Sequence, residues 1–274
     1  MSKTWIITGA SAGGIGEGIA RAVLSNGDNA VITARSLSKL EPIAKDYPET
    51  CLPLTLDMSN REQMKEVVAK TVEKFGTVDV LINNAGHGYR SSVEEGEDEA
   101  IRELFETNLF GPINMIKEVL PILREKGAGV IMNTTSIAAE RSAIASGYYA
   151  SSKAALDLLT DGLAKEVAPL GIKVMVIEPG AFRTHFYDEA YKAAPLKVDA
   201  YKDTTWKRAQ ATNQRQQPGD PKKAGELVYK MAYAEETPFR LIMGSDACKV
   251  VIDTAKARIE EAEKFAEVSA STDY

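Results

Sequence analysis

The chain has 274 residues, 44% hydrophobic and 26% charged, with 33 Lys and Arg against 39 Asp and Glu for a net charge of −6. That is globular composition, and it excludes disorder, collagen or coiled coil as a description of the whole. The missing basic excess argues against a nucleic-acid partner.

Two cysteines, Cys51 and Cys248, match no metal-ligand spacing, so two free thiols and no metal site are expected. The N-terminal apolar run is too short for a signal-peptide core. No stretch nears the roughly 20 apolar residues of a membrane helix. The expectation is a cytoplasmic protein with no membrane partner.

Short apolar runs at 5–7, 30–33, 52–56, 78–82, 129–133 and 172–177 read as strands. Helical spacing fills the gaps at 16–26, 61–75, 100–124 and 149–169. Val67, Val68, Thr71, Val72 and Phe75 share one face, and Leu156, Leu159, Leu163 and Val167 another. Repeated strand–helix–strand means parallel pairing through right-handed crossovers. Continuous apolar strands fit a sheet covered on both faces. The expected fold is therefore a doubly wound, Rossmann-type α/β sheet in a single domain spanning 1–274.

Gly27, Gly76 and Gly171 mark helix ends, and Ser59 or Asn60 can cap the helix at 61. Gly111-Pro112 predicts a kink or a new start inside 100–124. After 177 the alternation lapses. Residues 181–221 hold Phe182, Phe186, Tyr187, Tyr191, Tyr201 and Trp206, then a polar run at 210–217. Such a length suits a lid over a pocket better than an idle connection. Helical pattern returns at 222–234, 239–243 reads as a last strand, and 246–268 as a charged terminal helix.

Strand one runs into Thr8-Gly9-Ala10-Ser11-Ala12-Gly13-Gly14-Ile15-Gly16. Glycines let this turn approach a ligand closely, and the following helix start offers N–H groups to a pyrophosphate. At the end of strand two stand Arg35 and Ser36, with no carboxylate. A guanidinium there can fork onto a 2′-phosphate, so NADP(H) is favoured and NAD(H) left open.

Tyr149 and Lys153 are spaced i, i+4 and share a helix face. A nearby ammonium stabilises a phenolate, so the pair can move protons near neutral pH. Ser136 follows the strand at 129–133, at the carboxyl end where such sheets bind ligands.

These residues, with Asp57, Asn83-Asn84-Ala85-Gly86, Asn108 and Pro179-Gly180…Thr184, resemble the single-domain short-chain dehydrogenase/reductase family. The stretch 178–184 is similar to that of hydroxysteroid and retinol dehydrogenase-like members. The resemblance implies Tyr149 as general acid and base, Ser136 on the substrate oxygen, and Lys153 on both Tyr149 and the nicotinamide ribose. It implies Asn108 positioning Lys153 through a water. It places Asp57 at adenine, Asn83, Ala85 and Gly86 flanking the cofactor, and Pro179, Gly180, Phe182 and Thr184 around the carboxamide. Gly9, Ser11, Gly14, Ile15 and Gly16 form the phosphate turn, Ser11 and Asn84 serving also as turn-makers. Asp57 is alternatively a local cap.

Gly9 to Gly16 spans seven positions where the family usually has six, so Gly13 or Gly14 takes the middle role. His87 and His185 flank the site and are candidate substrate contacts. The implied activity is interconversion of a small-molecule ketone or aldehyde with its alcohol, on a bulky apolar substrate. The implied assembly is a homodimer or homotetramer through 100–124 and 149–169. A non-catalytic NADP-binding sensor of the same fold is the alternative.

Overall fold

The computed structural model describes residues 2–186, 191–210 and 216–274. Seven parallel strands form the main sheet: β1 (Thr4–Ile7), β2 (Asn29–Ala34), β3 (Cys51–Thr55), β4 (Val80–Asn83), β6 (Gly129–Thr134), β7 (Ile172–Pro179) and β9 (Arg240–Met243). Their order is β3-β2-β1-β4-β6-β7-β9. The chain winds outward from β1 to β3, then restarts at β4 on the other side. This reversal opens a crevice at the carboxyl ends of β1 and β4. Pro53 lies in edge strand β3, where its missing N–H leaves no central ladder bond unmade.

Strand alternation builds two cores. Trp5, Ile7, Val80, Ile82 and Met132 face one layer, and Ile6, Leu81 and Ile131 the other. The first layer is helix α1 (Ile15–Ser25) with the helix Pro221–Tyr233. The second is α3 (Arg61–Phe75), α5 (Gly111–Lys126) and α6 (Gly147–Val167), while α2 (Glu41–Ala44) is one short turn.

Helix α3 has the expected bounds. Asn60 accepts from Gln63 N at 3.1 Å, and Gly76 ends it at φ 80°. Its buried face is Met64, Val67, Val68 and Thr71, whereas Val72 is exposed. The long pattern at 100–124 divides into α4 (Asp98–Phe105), a π-helical turn Glu106–Phe110, and α5. Pro112 has no N–H to give the carbonyl four residues back, and its ring would crowd it. A wider turn before Pro112 relieves both problems. The terminal helix runs Ser245–Lys264 and breaks at Phe265 before a short turn Ala266–Ala270.

The segment read as one lid carries structure of its own. Strand β8 (Tyr191–Ala193) pairs in parallel with β5 (Gly88–Arg90), a second small sheet that apolar patterning does not announce. The buried Glu95 carboxylate accepts from Lys197 N (2.7 Å), Val198 N (2.9 Å) and Trp206 Nε1 (3.1 Å). Phe182 bridges to Gly219. Tyr187 and residues 211–215 of the polar run lie outside the described residues.

Helix α1 crosses the helix Pro221–Tyr233 at backbone contact. A Cβ on Gly225 would stand 2.1 Å from the carbonyl of Gly18, and one on Gly18 2.0 Å from Pro221 O. No side chain can move aside there. Gly225→Ala is expected to cost roughly 1–3 kcal/mol through overpacking, read as a lower urea midpoint. An unchanged midpoint would contradict this crossing.

Candidate active site

A cavity of about 520 Å³ runs along the carboxyl ends of the central strands, within the range of small-molecule and cofactor sites. At its near end lies the glycine-rich turn, with Gly9, Ser11, Gly14 and Ile15 in the wall. Gly9 has φ 68°, and a Cβ on it would come within 2.6 Å of Ala85 Cα. A Cβ on Gly16 would stand 2.4 Å from Gly9 O, so Gly16 sits behind the turn and fixes its tightness.

The ambiguity between the two adjacent glycines resolves by conformation. Gly14 is the extended N-cap of α1 and carries no side-chain cap, which leaves helix N–H groups facing the cavity. Gly13 is left-handed at φ 81° and lies beneath the His185 ring, whose Cδ2 would be 1.8 Å from an added Cβ. His185 N donates to Gly13 O at 3.2 Å. The inserted glycine thus makes room for His185, which the structure seats on the cofactor turn.

Arg35 and Asp57, after the carboxyl ends of β2 and β3, also line the wall. Ser36 is not in the wall, and its hydroxyl pairs with Ser38 at 2.8 Å. Lys39, unremarked in the sequence reading, is in the wall. Asp57 Oδ1 accepts from Ser59 N (2.9 Å) and Oγ (2.7 Å), bonds that hold its carboxyl below the usual range, with Arg35 adding a smaller pull. Asp57 is therefore both a turn-former and a wall residue.

One candidate turns away. Alternation along β4 sends the Asn83 side chain into the helical layer, where it donates to Asn133 Oδ1 at 2.8 Å. Asn84 takes the position at the cavity instead, donating to Thr8 O (3.1 Å) and Gly9 O (2.9 Å). Ala85, Gly86 and His87 continue the wall. His87 Nδ1 lies 3.3 Å from Gly88 O, and burial lowers its pKa.

The β6 and α6 residues meet at the centre. Ser136, Tyr149 and Lys153 share the wall. Ser136 Oγ accepts from Ala138 N at 3.1 Å, which leaves its O–H to donate. Lys153 is 4% exposed, and its Nζ donates to Thr134 O at 2.8 Å. Burial pulls its pKa down to about 8. Tyr149 is buried, its ring centroid 6.0 Å from that of Phe186 and 6.1 Å from that of Tyr191.

Asn108 lies behind the wall, on the π-helical turn. Its Nδ2 donates to His87 O (2.9 Å) and Ser152 Oγ (3.1 Å), and its Oδ1 accepts from His87 N (3.0 Å). A Cβ on Gly86 would come 3.0 Å from Asn108 Oδ1 and 3.2 Å from Lys153 Nζ. The glycine brings backbone down onto both groups.

Pro179, Gly180, Phe182, Thr184 and His185 close the other side. Asp246, in the first turn of the terminal helix, accepts from Ala181 N at 2.8 Å and holds this segment in place.

A nicotinamide dinucleotide fits this set. The uncapped start of α1 and the Cβ-free turn suit a pyrophosphate, while Arg35 and Lys39 bring positive charge beside the turn, Lys39 O accepting from Ala12 N at 3.3 Å.

Beside the site Glu178 is a charge-bearing group without a hydrogen-bond partner among the described residues. It is 1% exposed at the end of β7. Burial first, then Glu140 and Asp157, push its pKa up to about 7. Arg240 is committed to Asp157, with contacts of 2.6 to 3.0 Å.

Comparison with known proteins agrees with this geometry. The family profile described as short chain dehydrogenase matches residues 3–194. "Oxidoreductase BOA17" of Botryotinia fuckeliana is 35% identical over 274 residues, 98% of each chain. A short-chain dehydrogenase structure from Streptomyces avermitilis superposes with a TM-score of 0.92 at 36% identity, covering 100% of this chain and 99% of that one. An alcohol dehydrogenase from the archaeon Thermococcus sibiricus, complexed with 5-hydroxy-NADP, gives 0.72 at 30% identity, covering 89% and 96%.

Glu178 generates a pH prediction. Its folded pKa lies above the ordinary 4.5, so the folded chain holds the proton more tightly. Its contribution to stability is full below about pH 4.5 and lost as pH rises to about 7. Glu178→Gln should therefore match the wild type near pH 4 and exceed it at pH 8 by up to roughly 3 kcal/mol in urea unfolding. A difference independent of pH would contradict the assignment.

Proposed function

This chain is an oxidoreductase of the short chain dehydrogenase family, and from that premise we propose that it uses NADP(H) to interconvert a bulky apolar ketone or aldehyde with its alcohol. One observation carries the reading. Ser136 and the Tyr149–Lys153 pair line one wall, with the lysine buried one helical turn from the tyrosine. A bound nicotinamide supplies or accepts the hydride. The chain's own residues manage the oxygen and its proton.

In reduction Tyr149 gives its phenolic proton to the substrate oxygen, and in oxidation it takes one back. Ser136 donates a hydrogen bond to the same oxygen as charge gathers there. Below about pH 8 Lys153 is an ammonium, and its charge favours the tyrosinate left after proton transfer. Thr134 O fixes where that charge sits. Asn108 is a positioning residue: it ties Ser152 on α6 to the backbone of His87.

Arg35, with Lys39 beside it in the wall, supports NADP(H), as does the NADP-type ligand named for the Thermococcus sibiricus structure. Phe186 and Tyr191, edge to face at 5.2 Å beside Tyr149, support an apolar substrate under a lid. His87 and His185 line the same cavity and are the histidines that would contact substrate. Exposed Phe110, beside α5, and Leu158 on α6 support a homo-oligomer through these helices.

Tyr149→Phe should lower kcat for ketone reduction by about 10²–10⁴-fold while NADPH still binds. Retained turnover would overturn the mechanism. Arg35→Ala should weaken NADPH binding by roughly 10–100-fold, the value of a lost charge-assisted bond, and leave NADH within about 2-fold. Equal losses for both cofactors, measured by fluorescence titration, would remove Arg35 from the 2′-phosphate.

A further inference from the structure

Five cations line the cavity, Arg35, Lys39, Arg141, Lys153 and Arg208, although the chain as a whole carries a net charge of −6. Two carboxylates share the wall, and both are engaged. Asp57 accepts from Ser59 N and Oγ, and both oxygens of Glu103 accept from Lys192 Nζ at 2.7 Å. A cleft of this sign concentrates anions. In the proposed reaction Arg35 and Lys39, beside the glycine-rich turn, serve the cofactor, and Lys153 serves Tyr149. Arg141 and Arg208 have no part in it.

Their positions set them on the substrate side. Arg141 follows Ser136 by five residues on the β6–α6 connection, which also places Ile137, Ala138 and Ala143 in the wall. Asp253 on the terminal helix feels the Arg141 charge, but its own hydrogen bond is to Lys249 at 2.5 Å. Arg208 stands on the short helix Lys207–Gln210. Arg90 pins that helix: it is 8% exposed, packs over the Tyr191 ring at 4.4 Å, and donates from Nη1 to Ala209 O at 3.2 Å. The Tyr191 ring is in turn 6.1 Å from that of Tyr149. Neither Arg141 nor Arg208 makes an ion pair among the described residues. Both side chains are exposed, so a charged partner can meet them without losing all its water.

We propose that the substrate is an amphiphile, whose end remote from the carbonyl bears an oxyanion, carboxylate or phosphate, held at the cavity mouth by Arg141 and Arg208. The apolar body lies against Phe186 and Tyr191, and the charged end stays at the water. Guanidinium forks match the oxygens of either anion. This inference rests on the proposed ketone–alcohol reaction and adds what its substrate carries.

The probes are oxo fatty acids of graded chain length, their methyl esters, and oxoalkyl phosphates of the same lengths. Binding to the full-length protein saturated with NADP⁺ is measured by calorimetry, and turnover with NADPH separately. The best acid or phosphate should bind about 10–100-fold tighter than the ester, and the stronger of the two identifies the oxyanion. Arg141→Ala and Arg208→Ala should each remove most of that margin, with NADPH affinity kept within about 2-fold. Arg141→Lys and Arg208→Lys should recover part of it, since the charge returns without the fork. Anions bound no better than esters overturn the proposal. So do alanine variants that lose anion and ester alike, or that lose NADPH with them. Anion binding that depends on both arginines but yields no alcohol leaves the subsite standing and defeats the proposed reaction. Esters bound and reduced as readily as the anions do the reverse.

Discussion

An ammonium kept inside the protein, with a backbone carbonyl as its hydrogen-bond partner, is the constraint on which the site depends. Lys153 donates to Thr134 O at the end of β6, and no carboxylate hydrogen-bonds to it among the described residues. A carboxylate partner would raise the lysine pKa and absorb its field. Burial without one lowers that pKa and leaves the charge to act on neighbouring groups. The phenol of Tyr149 stands one helical turn away in the same wall. The β6–α6 connection, the π-helical turn bearing Asn108 and the cavity-side backbone at Gly86 all hold that lysine and the face it shares with Tyr149.

The sheet supplies the rest. Because strand order reverses between β1 and β4, the glycine-rich turn and the Asn84–Gly86 loop meet edge to edge without a helix between them. Gly9 and Gly16 let those backbones touch, so the turn is set by contact with the neighbouring strand end. On the far side Asp246 and Glu95 act as anchors. Asp246 takes one backbone N–H, from Ala181 beside the cavity, and Glu95 takes two, from Lys197 and Val198 in the segment after β8. These charged clamps fix loops that have too little apolar area to hold themselves.

Much of this was legible in the sequence, for definite reasons. Parallel strands buried on both faces must be continuous apolar runs, so the inner strands β1, β2, β4, β6 and β7 show as such, and the half-exposed edge strands β3 and β9 show as short apolar stretches. The Tyr149–Lys153 pair is legible because a helix converts spacing into adjacency. What escaped reading depends on contacts distant in sequence. Nothing in Gly88-Tyr89-Arg90 foretells pairing with Tyr191–Ala193, a hundred positions away. Choosing Asn84 over Asn83 requires the phase of β4, which the apolar run does not fix because both faces are buried. Gly13 reads as an unexplained insertion until the His185 ring is found above it. Glu178, between apolar residues and a proline, gives no sign in sequence that it lacks a partner.

The central claim is hydride transfer coupled to protonation by Tyr149, and isotope placement tests it most directly. NADPH deuterated on the transferable C4 position of its nicotinamide would be incubated with the protein and a bulky apolar ketone, and the alcohol analysed by NMR. The account predicts deuterium on the carbinol carbon of one enantiomer, with the hydroxyl proton drawn from solvent. Alcohol whose carbinol hydrogen comes from water, or cofactor bound tightly with no alcohol formed across a range of such ketones, would contradict it.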